Sequence, residues 1–460
     1  MPPFADDPLA SFRSLSADDL MLPVLVQLAV IVAVARIGGI VARRVGQPAV
    51  VGEIIAGLLL GPSLFKAVMP GVWAAVFEPA LPGVPAEVAN ASFPKLLQVL
   101  AQLGVILLLF LIGLEFHIEH LKVKGWSAVA VAAAGVVLPF AAGAGLGPLI
   151  HPHLEPHPTA GPVPLLGLTL FLGVAVSVTA IPTLGRILLE MGITRTRVGT
   201  VVLASAAVAD AAVWALLAAV RPLAKPEGGE LSWAGPGLML LLAVAFGVVL
   251  FAGVRPLLGR YLVHALRTNG GQLGVTPLAV LLVGLLLCGL ATNMIGISAV
   301  FGALLFGAAL SDRPGLREAV SARLRDVVTT FLLPVFFTAT GLRTDVSTLG
   351  GLWGVAVAVF VVAAGGKLIG CTLAARLTGF RWKEAAAVGA LMNTRGLIAL
   401  VVINIGYDMG VVPKSLFACL VLMAVATTLL TGPLVMLVQK GTELEGPIRA
   451  SGFAREQTAR

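Results

Sequence analysis

Asp210 is the one charged residue in the 23-residue apolar run VGTVVLASAAVADAAVWALLAAV between Arg197 and Arg221, and it is thirteenth in that run. If the run crosses a bilayer, the carboxylate lies near the centre, at a cost of about 2.5–3.5 kcal/mol. An acid in such a place points to ion or proton binding; the alternative is a protonated structural acid bonded to a neighbouring helix. Two further apolar runs are interrupted by groups that suit the same chemistry. Ser177, Thr179 and Pro182 fall mid-run in 164–185, and Asn393, Thr394, Arg395 and Gly396 fall mid-run in 385–405. Proline removes a backbone donor and frees a carbonyl, and carbonyl and hydroxyl oxygens are hard ligands that suit an alkali cation. Arg395 can neutralise the C-terminal ends of half-helices; the alternative is two ordinary kinks with a snorkelling arginine. Lys367, in AVAVFVVAAGGKLIGCTLAA, reads as a partner for Asp210, a helix-dipole counter-charge or a snorkelling cation. Glu53, in PAVVGEIIAGLLLGP, reads as a structural partner for a buried cation or backbone group, or as part of an ion access route.

The composition says what kind of elements must position these residues. The chain has 460 residues, 58% hydrophobic and 12% charged, with mean hydropathy +1.00. A water-soluble domain cannot hide that much apolar surface. Continuous rather than alternating apolar runs favour transmembrane helices over a barrel, and 53 glycines suit close helix packing in lipid. The net charge of +8 is explained by topology, so no nucleic-acid partner is expected. Cys288, Cys371 and Cys419 all lie in apolar runs and read as packing residues; no cofactor or bound metal beyond an alkali cation at Asp210 is expected. The acidic N-terminus lacks the basic start of a cleavable signal peptide.

Thirteen spans are predicted, near 21–42, 48–64, 97–114, 126–148, 164–185, 198–220, 235–254, 274–290, 296–310, 327–341, 350–375, 385–405 and 415–438. The division between the eighth and ninth rests on Ala291 to Ile295 alone. With the N-terminus outside, 22 of the 31 lysines and arginines fall inside and 7 outside, and Lys367 and Arg395 fall within spans. That asymmetry fits the positive-inside rule. It predicts an extracytoplasmic segment 1–20, a membrane domain 21–438 and a cytoplasmic tail 439–460 in a cell membrane. The outer loop 149–163 carries His151, His153 and His157 among prolines; a stiffened solvated loop is the simpler reading beside metal or pH sensing.

Three pairs of segments resemble one another. PAVVG at 48–52 is echoed by SAVFG at 298–302, FLIGL at 110–114 by TATGL at 338–342, and Ser177 to Ala180 is placed like Met392 to Arg395. All three share an offset of seven spans. An odd offset turns one copy upside down, so repeats near 48–220 and 296–438 would be inverted, as in secondary transporters. Interrupted helices at equivalent places in two repeats mark a binding site.

At this point the residues are recognisable. VGEIIAGLLLGPSLF, GVILLLFLIGLEF, SVTAIPTLGRILLE, LPVFFTATGLRTD and MNTRGLIALVVINIG together resemble the monovalent cation:proton antiporter-2 family, over about residues 21–438. Among its branches they look closest to plant-type cation/proton exchangers and bacterial sodium/proton antiporters. The resemblance implies a homodimer, each protomer having a dimerisation domain and a six-helix core with two crossed, broken helices. It maps the ion-binding acid to Asp210 and the buried base to Lys367. It also exposes a departure: electrogenic relatives carry two adjacent acids where this chain has Ala209-Asp210. Lys367 then lacks the family's partner and can turn to Asp210 or to Glu53.

The expected function is alternating-access exchange of Na⁺ or K⁺ for protons, electroneutral at one for one, with Ser177, Thr179 and freed carbonyls completing the shell at Asp210. A sodium-coupled organic-anion symporter of similar fold and a cation channel are the rivals. An intramembrane aspartyl protease would need a second aspartate within a span, so no enzyme is expected.

Overall fold

The computed structural model describes residues 17–45, 47–79, 84–115, 125–224, 234–296 and 298–451. Most of the expected segment 1–20, the loop with Glu119, Lys122 and Lys124, Lys225, and the tail from 452 onward lie outside the described residues.

The described chain is helical. Helix α1 covers Ala17–Arg44 and α2 covers Ala49–Leu59, continued by a π-turn at Pro62–Lys66. Then come α3 (Pro70–Phe77), α4 (Ala86–Glu115) and α5 (Trp126–Ile150). Helices α6 (Leu165–Ser177) and α7 (Ile181–Glu190) are the two halves of an interrupted element, followed by α8 (Arg197–Ala224). Helix α9 (Ala234–Val248) runs through a π-helical stretch into α10 (Arg255–Thr268). Next are α11 (Val275–Met294), α12 (Ala299–Leu310), and α13 (Leu316–Val327), which runs through a π-turn into α14 (Leu333–Arg343). A 3-10 turn at Val346–Leu352 leads into α15 (Trp353–Leu377). A second interrupted element, α16 (Trp382–Met392) with α17 (Leu397–Asp408), precedes α18 (Lys414–Val438) and the short α19 (Glu445–Ala450).

Each of the thirteen apolar segments falls on a helix or an interrupted helix. By length and composition, eight described helices could cross a membrane, nine if α16 and α17 form one span; α2, α6 and α12 are shorter apolar helices. Helix length alone therefore supports fewer than thirteen spans. Several boundaries differ from expectation, among them the tenth segment, which α13 extends back to Leu316. Helix α4 starts eleven residues earlier than the predicted 97, α10 extends the seventh segment by a basic amphipathic length, and α3 was not foreseen. The expected division falls about four residues later than 291–295: α11 continues to Met294, and Gly296 turns the chain with a φ of 94° before α12 starts at Ala299.

The helices sort into two bundles by their contacts. Helices α1, α2, α4, α11, α12 and α14 pack on one another, through α1·α2, α4·α12, α2·α14, α4·α14 and α11·α12. Helices α5 to α8 and α15 to α18 pack on one another, through α5·α6, α5·α15, α15·α16, α5·α8, α6·α8, α15·α18 and α16·α18. Helix α2 against α18 is the main helix contact across the seam between the bundles. Pairs seven spans apart make matching contacts: α1·α2 with α11·α12, α2·α14 with α12·α4, and α5·α6 with α15·α16.

The match extends to single residues. Gly341 lies against the backbone of Gly57, and Gly113 against the backbone of Gly307, so closely that a Cβ at any of the four would collide with main chain. Gly52 sits against Gly38 and Ala42, while Gly302, 250 residues on, sits against Cys288 and Thr292. Without side chains in the way, helix axes come close and dispersion contacts multiply, which is how helices associate in lipid.

Candidate ion-binding site

Both interrupted elements break in their middles, for different local reasons. Helix α6 stops at Ser177, and Val178 (φ −55°, ψ 139°) and Ala180 (φ −114°, ψ 97°) are extended. Pro182 does not make this break. It lies in the first turn of α7, where its missing N–H is one of the helix's orphan donors and costs nothing. Helix α16 stops at Met392, and the chain turns at Gly396 with φ 63° and ψ −140° before α17 departs at a bend of 45°. A side chain at Gly396 would be strained by that φ and would strike the Thr183 side chain of α7.

The two breaks are stitched together. The backbone N–H of Ala180 donates to the carbonyl of Thr394 at 3.1 Å. The fully buried Arg395 sends its guanidinium into the C-terminal end of α6. Its Nη1 donates to the carbonyls of Ala175 (3.1 Å) and Val178 (3.3 Å), and its Nη2 to Val176 (2.5 Å) and, on α15, Ala363 (3.1 Å). A positive charge thus answers the partial negative charge and orphan carbonyls of a helix C-terminus. The carbonyls around this break, expected to be open to a cation, are in large part occupied by Arg395.

Asp210 lies midway along α8 and is 1% exposed. It faces the start of α7, near the Ile181 N–H and within reach of the Lys367 charge, but neither carboxylate oxygen has a hydrogen-bond partner. Lys367 is wholly buried on α15, so it does not snorkel, and its Nζ donates to the Thr179 hydroxyl. It pairs with neither Asp210 nor Glu53. Glu53 sits in the other bundle, where its carboxylate meets Arg36 at 3.2 Å. Ser177 is also turned away from the acid: its hydroxyl donates to the carbonyls of Gly173 (2.6 Å) and Val174 (3.0 Å) within its own helix. Of the expected residues, the structure brings Asp210, Thr179, Lys367, Thr394 and Arg395 into one neighbourhood, and it leaves Glu53 outside.

Two residues were not singled out from sequence. Thr428 on α18 accepts from the N–H groups of Arg395 (3.3 Å) and Gly396 (3.1 Å), capping the start of α17 from a neighbouring helix. It stands at the start of α17, on the segment seven spans after that of Asp210, as Asp210 stands at the start of α7. Ser205, on α8, is fully buried with an unpartnered hydroxyl, as are both amide atoms of Asn393. Buried polar atoms left unpaired are rare in proteins, and the breaks and α8 hold several of them: Ser205, Asp210, Asn393 and the Arg395 Nε.

A family described as "Sodium/hydrogen exchanger, transmembrane" matches residues 29–439. The chain belongs to this family. Like other sodium/hydrogen exchanger family proteins, it is a multi-pass membrane protein. It is 33% identical over 424 residues to the Na(+)/H(+) antiporter NhaS4 of Synechocystis, covering 91% of this chain and 97% of that protein. It is 35% identical over 427 residues to Cation/H(+) antiporter 20 of Arabidopsis thaliana, covering 90% of this chain but 48% of that protein. The chain spans 44% of K(+)/H(+) antiporter 1 of Saccharomyces cerevisiae, at 30% identity. In fold it is similar to the sodium/proton antiporter MjNhaP1 of Methanocaldococcus jannaschii, with a TM-score of 0.59, 14% identity and coverage of 92% of this chain and 99% of that one.

Proposed function

We propose that this chain exchanges a monovalent cation, Na⁺ or K⁺, for protons across a cell membrane, and that Asp210 holds either the cation or the proton in turn. The observation that carries this reading is a carboxylate buried to 1% exposure at the crossing of two broken helices, with neither oxygen hydrogen-bonded. Such a group is too costly to keep charged without a counter-ion. It must take up a proton or a cation, and the two compete for the same oxygens. Competition alone couples the fluxes. The relatives' names, Na(+)/H(+), K(+)/H(+) and cation/H(+) antiporters, support the same reading.

The proposed cycle moves the bundle holding both breaks (α5 to α8, α15 to α18) against the other, exposing Asp210 to one side at a time. The matched contacts of segments seven spans apart support an inverted repeat, the architecture that makes two such states equivalent. We further propose thirteen spans, the N-terminus outside and the C-terminus inside, and a homodimer. Stoichiometry follows from Ala209, which is buried beside Asp210 and offers no second acid. Lys367, bonded to the Thr179 hydroxyl, keeps its proton in this scheme and acts as a fixed neighbour. One proton then exchanges for one cation, without net charge.

The test is a pH-gradient dequenching assay in proteoliposomes with Li⁺, Na⁺, K⁺ and Rb⁺, run on the parent protein and on Asp210→Asn. Cation-dependent proton release by the parent, lost in the variant, is expected. Equal activity in Asp210→Asn would remove the acid from the mechanism. Transport driven by voltage alone would refute one-for-one exchange, while cation flux without proton release would favour a channel or a symporter.

A further inference from the structure

We infer that Arg343 and Asn404 are positioning residues of the transport cycle: they latch the two bundles together at one end of the seam, and this latch opens whenever Asp210 turns to that side. Asn404, Tyr407 and Asp408 share one face of α17, at spacings of three and four residues, and Thr340 and Arg343 share one face of α14. Arg343 Nη1 donates to Asn404 Oδ1 at 2.9 Å and meets Asp408 Oδ1 at 3.0 Å. Its guanidinium lies 5.2 Å from the centre of the Tyr407 ring. Asn404 Nδ2 donates to the Thr340 hydroxyl at 2.9 Å, so the amide is engaged at both ends. Lys414 and Asp345 add an ion pair at 3.6 Å at the same end. Helix α14 belongs to the first bundle and α17 to the second, so the Arg343 contacts and the Asn404 bonds to Arg343 and Thr340 cross the seam, while Asn404 Nδ2 is steadied by the Leu400 carbonyl (2.9 Å) within α17.

Beneath the latch, one helical turn from Asn404, Leu400 lines a narrow crevice together with Val51, Ile54, Val425 and Thr428. Val51 and Ile54 come from α2, the others from the opposite bundle, and the crevice reaches Gly396 at the break itself. Its walls are apolar apart from Thr428, so the bonds above it are the polar closure of that end. Their exposure suits a part that opens repeatedly. The side chains of Arg343 and Asp408 are 20% and 38% exposed, so water can replace each partner when they separate. A fully buried pair would leave bare charges on parting and hold the seam shut.

This inference rests on the proposed movement of one bundle against the other; the orientation given above places the latch outside. The test uses the full chain in sealed proteoliposomes with Val425→Cys as reporter, treated with a membrane-impermeant maleimide from either side. Asp408→Asn and Asn404→Leu are each expected to raise labelling from the latch side about tenfold, the shift of an equilibrium released from one favoured state. The reversed pair Arg343→Asp with Asp408→Arg is expected to restore protection. A rise confined to the cytoplasmic side would keep the latch and invert the orientation. An unchanged rate in both single variants, or an equal rise from both sides, would overturn the latch. Should Asp408→Asn fail to insert, Asn404→Leu alone decides, because it removes both of the residue's bonds across the seam and no charge.

Discussion

The starts of α7 and α17 occupy equivalent places in the two repeats and are treated in opposite ways. At α17 a neutral hydroxyl, Thr428, accepts from two backbone N–H groups of the break. At α7 the side chain at the helix start is Asp210, which lies near the Ile181 N–H without a hydrogen bond of full geometry. The carboxyl-terminal halves of the breaks differ as well. Helix α6 is capped by three of the four hydrogen bonds of Arg395, the fourth going to Ala363 on α15, whereas Asn393, at the end of α16, keeps both amide atoms unpaired. One duplicated crossing thus yields a closed end and an open one. Satisfied polar groups fix the frame, and the unsatisfied acid is what a mobile ion can use.

The sharpest way to break this contrast is to remove the open charge. Asp210→Asn keeps the shape and leaves no group to trade a proton for a cation. Exchange in proteoliposomes is expected to fall by at least ~100-fold, because the whole cation interaction at the site is lost, with little change in melting temperature. Disturbing the frame should do the reverse. Arg395→Met leaves four buried carbonyls without their donor and is expected to destabilise the protein by about 3–5 kcal/mol, the usual cost of stripping one partner from a buried charged network. A thermal-shift series in detergent reads this directly. A melting temperature equal to the parent's would show that the guanidinium does not hold the break together.

Competition at Asp210 also fixes a sign for pH. Where the proton occupies the site, each unit fall in pH multiplies bound-proton pressure tenfold, so the apparent KM for the cation is expected to rise about tenfold per unit. Where the acid is already empty, the KM should be flat. A maximal rate that falls with pH while the KM stays constant would mean that proton and cation use different groups. Lys367→Met sharpens the same measurement: with the lysine held by the Thr179 hydroxyl and outside the proton count, the variant should remain electroneutral by reversal potential.

Much of this arrangement was legible from residue types alone. The cost of Asp210 in an apolar run, the interruptions at 177–182 and 393–396, and the seven-span offset all follow from local chemistry and periodicity. Pro182 and Gly396 located the breaks to within a turn, although Pro182 starts the second half-helix and does not itself interrupt the first. What sequence could not supply was partner choice across helices. Lys367 and Thr179 are 188 positions apart, and only packing of α15 on the first break brings them together. The same holds for Arg343 and Asn404, 61 positions apart, which nothing in the sequence singles out until the two bundles are side by side. Helix length is a weak guide for a related reason: α2 and α12 are shorter than a straight span, yet close glycine contacts such as Gly57 with Gly341 pack α2 tightly among longer helices.

The smallest effect separates hydroxyl from shape at the closed end. Thr428→Val keeps the volume but withdraws the acceptor from the Arg395 and Gly396 amides, and each buried donor left unpaired costs about 1–3 kcal/mol. Thr428→Ser keeps the acceptor and loses one methyl, about 1 kcal/mol. Valine should therefore lower the melting temperature clearly and serine barely, with exchange by Asp210 still measurable in both. If the two variants melt alike, the hydroxyl is not the cap, and the contrast between the two repeats reduces to the presence of an acid in one of them. If valine abolishes exchange without altering the melting temperature, Thr428 belongs with Asp210 among the groups that meet the ion, and the closed end is not closed.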